Sequence, residues 1–164
     1  MLPDRRTLLL TLCALPVAGC GFAPVYRQGG AASGLHGQIR PNLIESREGF
    51  ELMTRLDERL GAPRADARFD MTVDLTFRQD ELILDVTNGI TRYTLNGTAK
   101  ISLTDRTTVT VVLTDIVRDT AGYSGTAQTA QTEAAKRDAY TRLAIALADK
   151  IVLRLTSTAE SWAG

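Results

Sequence analysis

Two stretches of this chain alternate apolar and polar residues for longer than an ordinary strand lasts, and this constrains the fold more than anything else in the sequence. Phe69, Met71, Val73, Leu75 and Phe77 alternate with Asp70, Thr72, Asp74, Thr76 and Arg78. A period of two puts one set on each face of an extended chain. Leu82, Leu84 and Val86 continue the alternation to Asn88-Gly89, a dipeptide suited to the tight turn between antiparallel neighbours. Beyond the turn, Thr91, Tyr93, Leu95, Gly97, Ala99, Ile101 and Leu103 hold one parity, and Arg92, Thr94, Asn96, Thr98, Lys100, Ser102 and Thr104 hold the other. Strands usually run about 5–6 residues, so this one is unusually long. Asn96-Gly97 offers a second turn, but the parity runs through it, which favours a glycine kink inside one strand. Asp105-Arg106 turns the chain into a further strand from Val109, Val111 and Leu113, whose apolar parity switches at Ile116. A bulge near Thr114 is the expected cause.

Helical periods flank these strands. Ser46 precedes Phe50, Met53, Leu56 and Leu60 at spacings of three and four, and Gly61 and Pro63 stop the run, so an amphipathic helix is expected there. A short extended piece is expected before it, at Leu35 to Ile39. Gly122 to Gln128 forms a linker. From Thr129 to about Thr158, Tyr140, Leu143, Leu147, Ile151 and Leu155 make an apolar stripe, widened by Ala144, Ala148 and Val152. Glu133 with Arg137 and Asp138 with Arg142 lie four apart, acid first, as exposed helical ion pairs prefer. One greasy sheet face and two greasy helix stripes must cover each other. The fold class that follows is α+β, a two-layer sandwich in which an antiparallel sheet of about four strands packs against two helices.

The amino-terminal end reads as an address. Arg5 and Arg6, an apolar core from Leu8 to Val17, and small Ala18 and Gly19 before Cys20 make the three parts of an export signal. The core is about half the ~20 residues a membrane span takes. Val17-Ala18-Gly19-Cys20 resembles the bacterial lipobox, in which the cysteine thiol takes a diacylglyceryl group, cleavage occurs before it, and the new terminus is acylated. Acyl chains contribute ~0.8 kcal/mol per buried methylene, and more than one is needed for stable anchoring. The alternative is an ordinary signal peptide with a chance cysteine. Twin arginines are compatible with export in the folded state and the Leu-rich core with export unfolded. The expected divisions are a signal peptide at 1–19, a lipidated Gly-, Ala- and Pro-rich tether at 20–34, a domain at 35–158 and a tail at 159–164.

Several chemistries lack their residues. Cys13 lies in the signal, so Cys20 is the only thiol of the mature chain and no disulfide forms within it. His36 is the only histidine, and no zinc or copper site has its usual ligands. Gly29-Gly30 lacks the Lys-Ser/Thr of a phosphate loop, and Ser124-Gly125 lacks the nucleophile-elbow pattern. Asp70 and Asp74 share a strand face by alternation alone and read as solvated surface. The expectation is a non-enzyme with no metal and no cofactor beyond the lipid on Cys20. The chain's 19 basic and 19 acidic side chains balance, and aromatics are 5% of residues, which speaks against nucleic acid as a partner. Arg92 and Lys100 stand on the polar parity of the long strand, placed to meet anionic groups.

Cys20-Gly21-Phe22-Ala23-Pro24-Val25-Tyr26, together with the helix, long strands and closing helix of residues 35–158, resembles the lipopolysaccharide-assembly lipoprotein family LptE, of the type found in alphaproteobacteria. The resemblance implies a lipoprotein of the outer membrane, on its periplasmic side or within a barrel lumen. There it plugs and helps assemble the β-barrel LptD, one to one, and binds lipopolysaccharide for insertion into the outer leaflet. It implies no catalysis. Arg92 and Lys100 are candidate lipopolysaccharide contacts by position only. The competing classes are a lipid-anchored periplasmic auxiliary subunit of an envelope transport system, or a structural envelope lipoprotein.

Overall fold

The computed structural model describes residues 34–85, 90–125 and 129–163. Cys20, the signal and the tether up to residue 33 lie outside them, as do the Asn88-Gly89 turn and residues 126–128. In chain order the elements are β1 (Ile39–Pro41), α1 (Arg47–Leu60), β2 (Phe69–Asp85), β3 (Ile90–Asp105), β4 (Thr110–Gly125) and α2 (Thr129–Thr158), closed by a 3₁₀ turn at Ala159–Ser161. The four strands form one sheet in the order β1-β2-β3-β4. The α+β sandwich expected from the sequence is what forms.

The long strands pair antiparallel along their lengths, with Val73 opposite Ile101 and Ala99 opposite Val117. β1 joins differently. It runs parallel to β2, with Ile39 opposite Phe69 and Pro41 opposite Met71, so the sheet is mixed. Parallel neighbours need a crossover connection, and α1 supplies it. Three residues are too few to show a parity, and the extended piece expected at Leu35 to Ile39 instead begins at Ile39, after a turn.

α1 starts where its cap places it. The Ser46 hydroxyl accepts from the Gly49 N–H at 2.9 Å, and Gly61 ends the helix at φ 79°, a conformation that glycine adopts without strain. Its buried face differs from the expected one. Gly49, Leu52, Leu56 and Leu60 point inward, whereas Phe50 is 68% exposed and Met53 only half-buried. A Cβ on Gly49 would sit 2.5 Å from Ile44 Cγ2, so the preceding loop folds onto that position and turns its face inward.

α2 lies across β3 and β4, and α1 packs beside it. The expected stripe of Leu143, Leu147, Ile151 and Leu155 is buried with its flanking alanines, while Tyr140 meets Phe77 edge-on at 5.4 Å. Of the expected helical pairs, Asp138–Arg142 forms at 2.8 Å, while Arg137 donates to the Glu133 carbonyl instead. The helix can approach β3 closely because Gly97 has no side chain. A Cβ there would come 2.8 Å from Leu147 Cδ1. β3 runs unbroken through Asn96-Gly97, so the glycine marks a helix contact inside one strand and not a turn. Residues 159–163, which the sequence suggests as a tail, are packed: Ala159 and Trp162 are buried, and the indole stands edge-on to Phe69 at 5.2 Å.

β4 corrects three expectations. It runs to Gly125, so Gly122–Gly125 is strand and not linker, and Tyr123 stacks on Tyr93 at 4.8 Å. The extra residue lies at Val112, since Leu103 pairs with Leu113 but Thr104 with Val111. That bulge turns Val111 out to solvent, and from Leu113 onward the odd residues face the helices, so no switch occurs at Ile116, which is 41% exposed. At the other end of the turn, buried Asp105 accepts from the Thr107 N–H at 2.7 Å and pairs with Arg68 at 2.8 Å. The Thr107 amide, and then Arg68, hold its carboxyl below the ordinary aspartate value.

Candidate functional site

Both helices cover one face of the sheet, leaving the other without a helical cover among the described residues. β2 contributes Thr72, Asp74, Thr76, Arg78 and Asp80 to this open face, β3 contributes Arg92, Thr94, Asn96, Thr98, Lys100, Ser102 and Thr104, and β4 contributes Thr114, Ile116, Arg118 and Thr120. The cause is the alternation itself, because a period of two sends every polar partner of a core residue outward. Asp70 and Asp74 are exposed here, Asp70 beside Arg106 at 3.6 Å, so the reading of both as solvated surface holds. His36 is exposed too, on a turn, with its imidazole over Gly61.

Register decides which cations meet. Lys100 pairs across with Asp74 on β2 and Ile116 on β4, and the next open-face row along the strands joins Thr76, Thr98 and Arg118. Lys100 and Arg118 are therefore diagonal neighbours on adjacent strands, about 7–8 Å apart at the backbone. Among the described residues no ion pair engages either side chain. Arg92 shares the face but lies eight residues away along β3, about 26 Å at 3.3 Å per residue. The two basic residues picked from the sequence thus occupy separate parts of the surface. The partner that Lys100 does have, Arg118, is hidden in the sequence by the misplaced bulge: a parity switch at Ile116 would have sent Arg118 toward the core.

The rest of the face is hydroxyl-rich and locally tied. Asp80 holds Arg78 at 3.2 Å and accepts from Asn96 at 2.7 Å. Among the described residues no group of three His, Cys, Asp or Glu is placed to hold a metal. Among the described residues no helix is long and apolar enough to cross a membrane. Chemically, the arrangement can bind anions and form many hydrogen bonds.

Comparison with known proteins decides the family. The lipopolysaccharide-assembly family LptE matches residues 37–155, from the turn before β1 to the last turns of α2. The chain belongs to the LptE family. No curated protein matches it significantly. Solved structures share the fold. A protein of Caulobacter crescentus assigned as a lipoprotein is 23% identical with a TM-score of 0.63, covering 77% of this chain and 93% of its own. The minor lipoprotein of Acinetobacter baumannii is 16% identical with a TM-score of 0.55, covering 75% and 94%. Rare lipoprotein B of Shewanella oneidensis is 13% identical with a TM-score of 0.55, covering 74% and 93%. In this LptE-family chain the sheet, α1, the open face and α2 up to residue 155 all fall within the matched segment.

Proposed function

We propose that this protein is an outer-membrane lipoprotein whose open sheet face works in lipopolysaccharide assembly, as a plug in the lumen of the β-barrel LptD and as a binding surface for lipopolysaccharide. The observation that carries the proposal is the uncovered polar face of three long strands, which bears Lys100 and Arg118 without ion-pair partners among the described residues. Threonine and serine rows form adaptable hydrogen bonds with a polar barrel wall, while the two cations take the phosphates of lipid A through charge-assisted bonds. Cys20, with its diacylglyceryl and N-acyl groups, serves as the anchor, so the domain acts at the membrane without a span of its own. The role is non-catalytic: binding and positioning do the work. Arg92, at the far end of the face, is a second, separate anion contact.

Lys100→Glu with Arg118→Glu is expected to weaken lipopolysaccharide binding by at least about tenfold, since hydrogen bonds to charged groups contribute about 1.5–3 kcal/mol each. Arg92→Glu with Lys100→Glu should do less, because it divides one site and reaches another. Both variants should keep the melting temperature of the parent within a few degrees, as exposed substitutions cost under ~0.5 kcal/mol each. Fluorescence titration with lipopolysaccharide, alongside a thermal melt, reads both quantities. Unchanged affinity in the Lys100/Arg118 variant would remove these side chains from the proposal.

A further inference from the structure

Among the described residues no strand pairs with the outer edge of β4, and that edge carries a second construction. Hydrogen bonds on β2 fix which way each strand's polar groups point: the Phe69 N–H donates to the Gln38 carbonyl, the Asn42 N–H to the Met71 carbonyl, and the Val73 N–H to Asn42 Oδ1. Odd residues of β2 therefore address β1, and even ones address β3. Carried through the antiparallel registers, odd residues of β3 and β4 bond each other, and the backbone groups of Thr114, Ile116, Arg118, Thr120, Gly122 and Ser124 point out of the sheet. An edge of this length is a template on which another chain can add a strand.

Its central part is occupied by the protein's own side chains. Asp115 Oδ1 accepts from the Ile116 N–H at 2.7 Å, and Asp119 Oδ1 accepts from the Thr120 N–H at 2.9 Å. Between them, Lys150 of α2 donates to the Arg118 carbonyl at 2.8 Å. The same helix holds both carboxylates: Asp115 pairs with Arg154, and Asp119 with Lys150 at 3.2 Å. Asp115 and Asp119 thereby take positions in the row facing the helices, where apolar residues would be expected, and the sheet closes there with charge.

We propose that Asp115 and Asp119, held by Arg154 and Lys150, seal the β4 edge against strand addition by a second copy of this chain. A second copy is the occupant to exclude because outward groups on alternate residues are self-complementary when two such edges run antiparallel. Asp115 and Asp119 lie about 13 Å apart along β4 at roughly 3.3 Å per residue, and Lys150 and Arg154 only about 6 Å apart along α2 at roughly 1.5 Å per residue, so the two long basic side chains diverge from a single helix face to hold both carboxylates. The Ile116 amide, and then Arg154, hold the Asp115 carboxyl below its ordinary value, as an acceptor engaged on both sides should be.

The test uses the full chain carrying Cys20→Ser, so that acyl groups add no association of their own. With Asp115→Ala and Asp119→Ala, sedimentation should show a dimer at least about tenfold tighter than any formed by the parent, and hydrogen exchange should slow at the amides of Ile116, Arg118 and Thr120. A folded variant that stays monomeric overturns the proposal, as does a dimer that leaves those amides exchanging as in the monomer. Should that variant fail to fold, Lys150→Gln with Arg154→Gln alters only exposed helix positions that glutamine suits. It should speed exchange at the Ile116 and Thr120 amides at least about tenfold, and unchanged exchange there would equally overturn the seal.

Discussion

Leu147→Asp leaves no folded domain. Leu147 is fully buried on α2, at the place where the helix meets β3 over Gly97. Removing it forfeits the ~1.5–3 kcal/mol of a buried leucine. The carboxylate then either stays charged in an apolar site, at several kcal/mol, or takes up a proton at a comparable cost. The nearest formal charges described on this helix, Asp149 and Lys150, are already engaged with Arg55 and Asp119. Against a total stability of ~5–15 kcal/mol for an ordinary domain, that loss removes the cooperative transition. Circular dichroism through a thermal ramp checks it. A soluble Leu147→Asp chain that melts cooperatively would mean that α2 turns a different face to the sheet.

Gly97→Val is expected to be nearly as damaging for the opposite reason, since it adds volume where none is free. The first carbon alone would lie 2.8 Å from Leu147 Cδ1 and 3.1 Å from Leu143 Cδ2 and Cγ. Leucine ends can usually move aside, but Leu143 and Leu147 are both essentially without solvent exposure and enclosed by the same core. The backbone itself would accept valine, because Gly97 lies within a regular strand where valine is a preferred residue, so the expected loss is one of packing alone. Overpacking of this kind costs about 1–3 kcal/mol; Gly97→Ala should stand at the low end and Gly97→Val at or above the high end. Melting temperatures should fall in the order glycine, alanine, valine. A valine variant as stable as the parent would show that α2 does not sit down on β3 at this point.

What the sequence makes legible here follows the range of the interactions. Alternation is written into neighbouring residues, so β2 and β3 can be read to within a few positions. Caps are equally local, and Ser46 and Gly61 bound α1 where expected. The inward face of α1 is not local. Phe50-Met53 and Gly49-Leu52 both keep helical spacing to Leu56 and Leu60, and only the fold of Ile44 over Gly49 selects between them. β1 is hidden for another reason: three residues hold no period, and their parallel pairing depends on where α1 returns the chain.

β4 shows how one residue propagates. With the bulge at Val112, Asp115 and Asp119 enter the row facing the helices and Arg118 joins Lys100 on the open face. Charged residues on a covered row look like an error in the alternation until Lys150 and Arg154, more than thirty positions later, come over the sheet edge to meet them. The candidate anion site was legible as a face, through Lys100 and Arg92, but not as a pair, because pairing is a property of register.

The role proposed for this LptE-family chain is tested most directly by isolating it in mild detergent from the outer membrane of its native host and measuring the mass and composition of what comes with it. A stable one-to-one complex with a much larger β-barrel, lost from the membrane fraction when Cys20→Ser removes the anchor and the barrel fails to assemble, is the predicted result. Recovery of the wild-type chain only as a monomer, or only with inner-membrane transporter subunits, would contradict it.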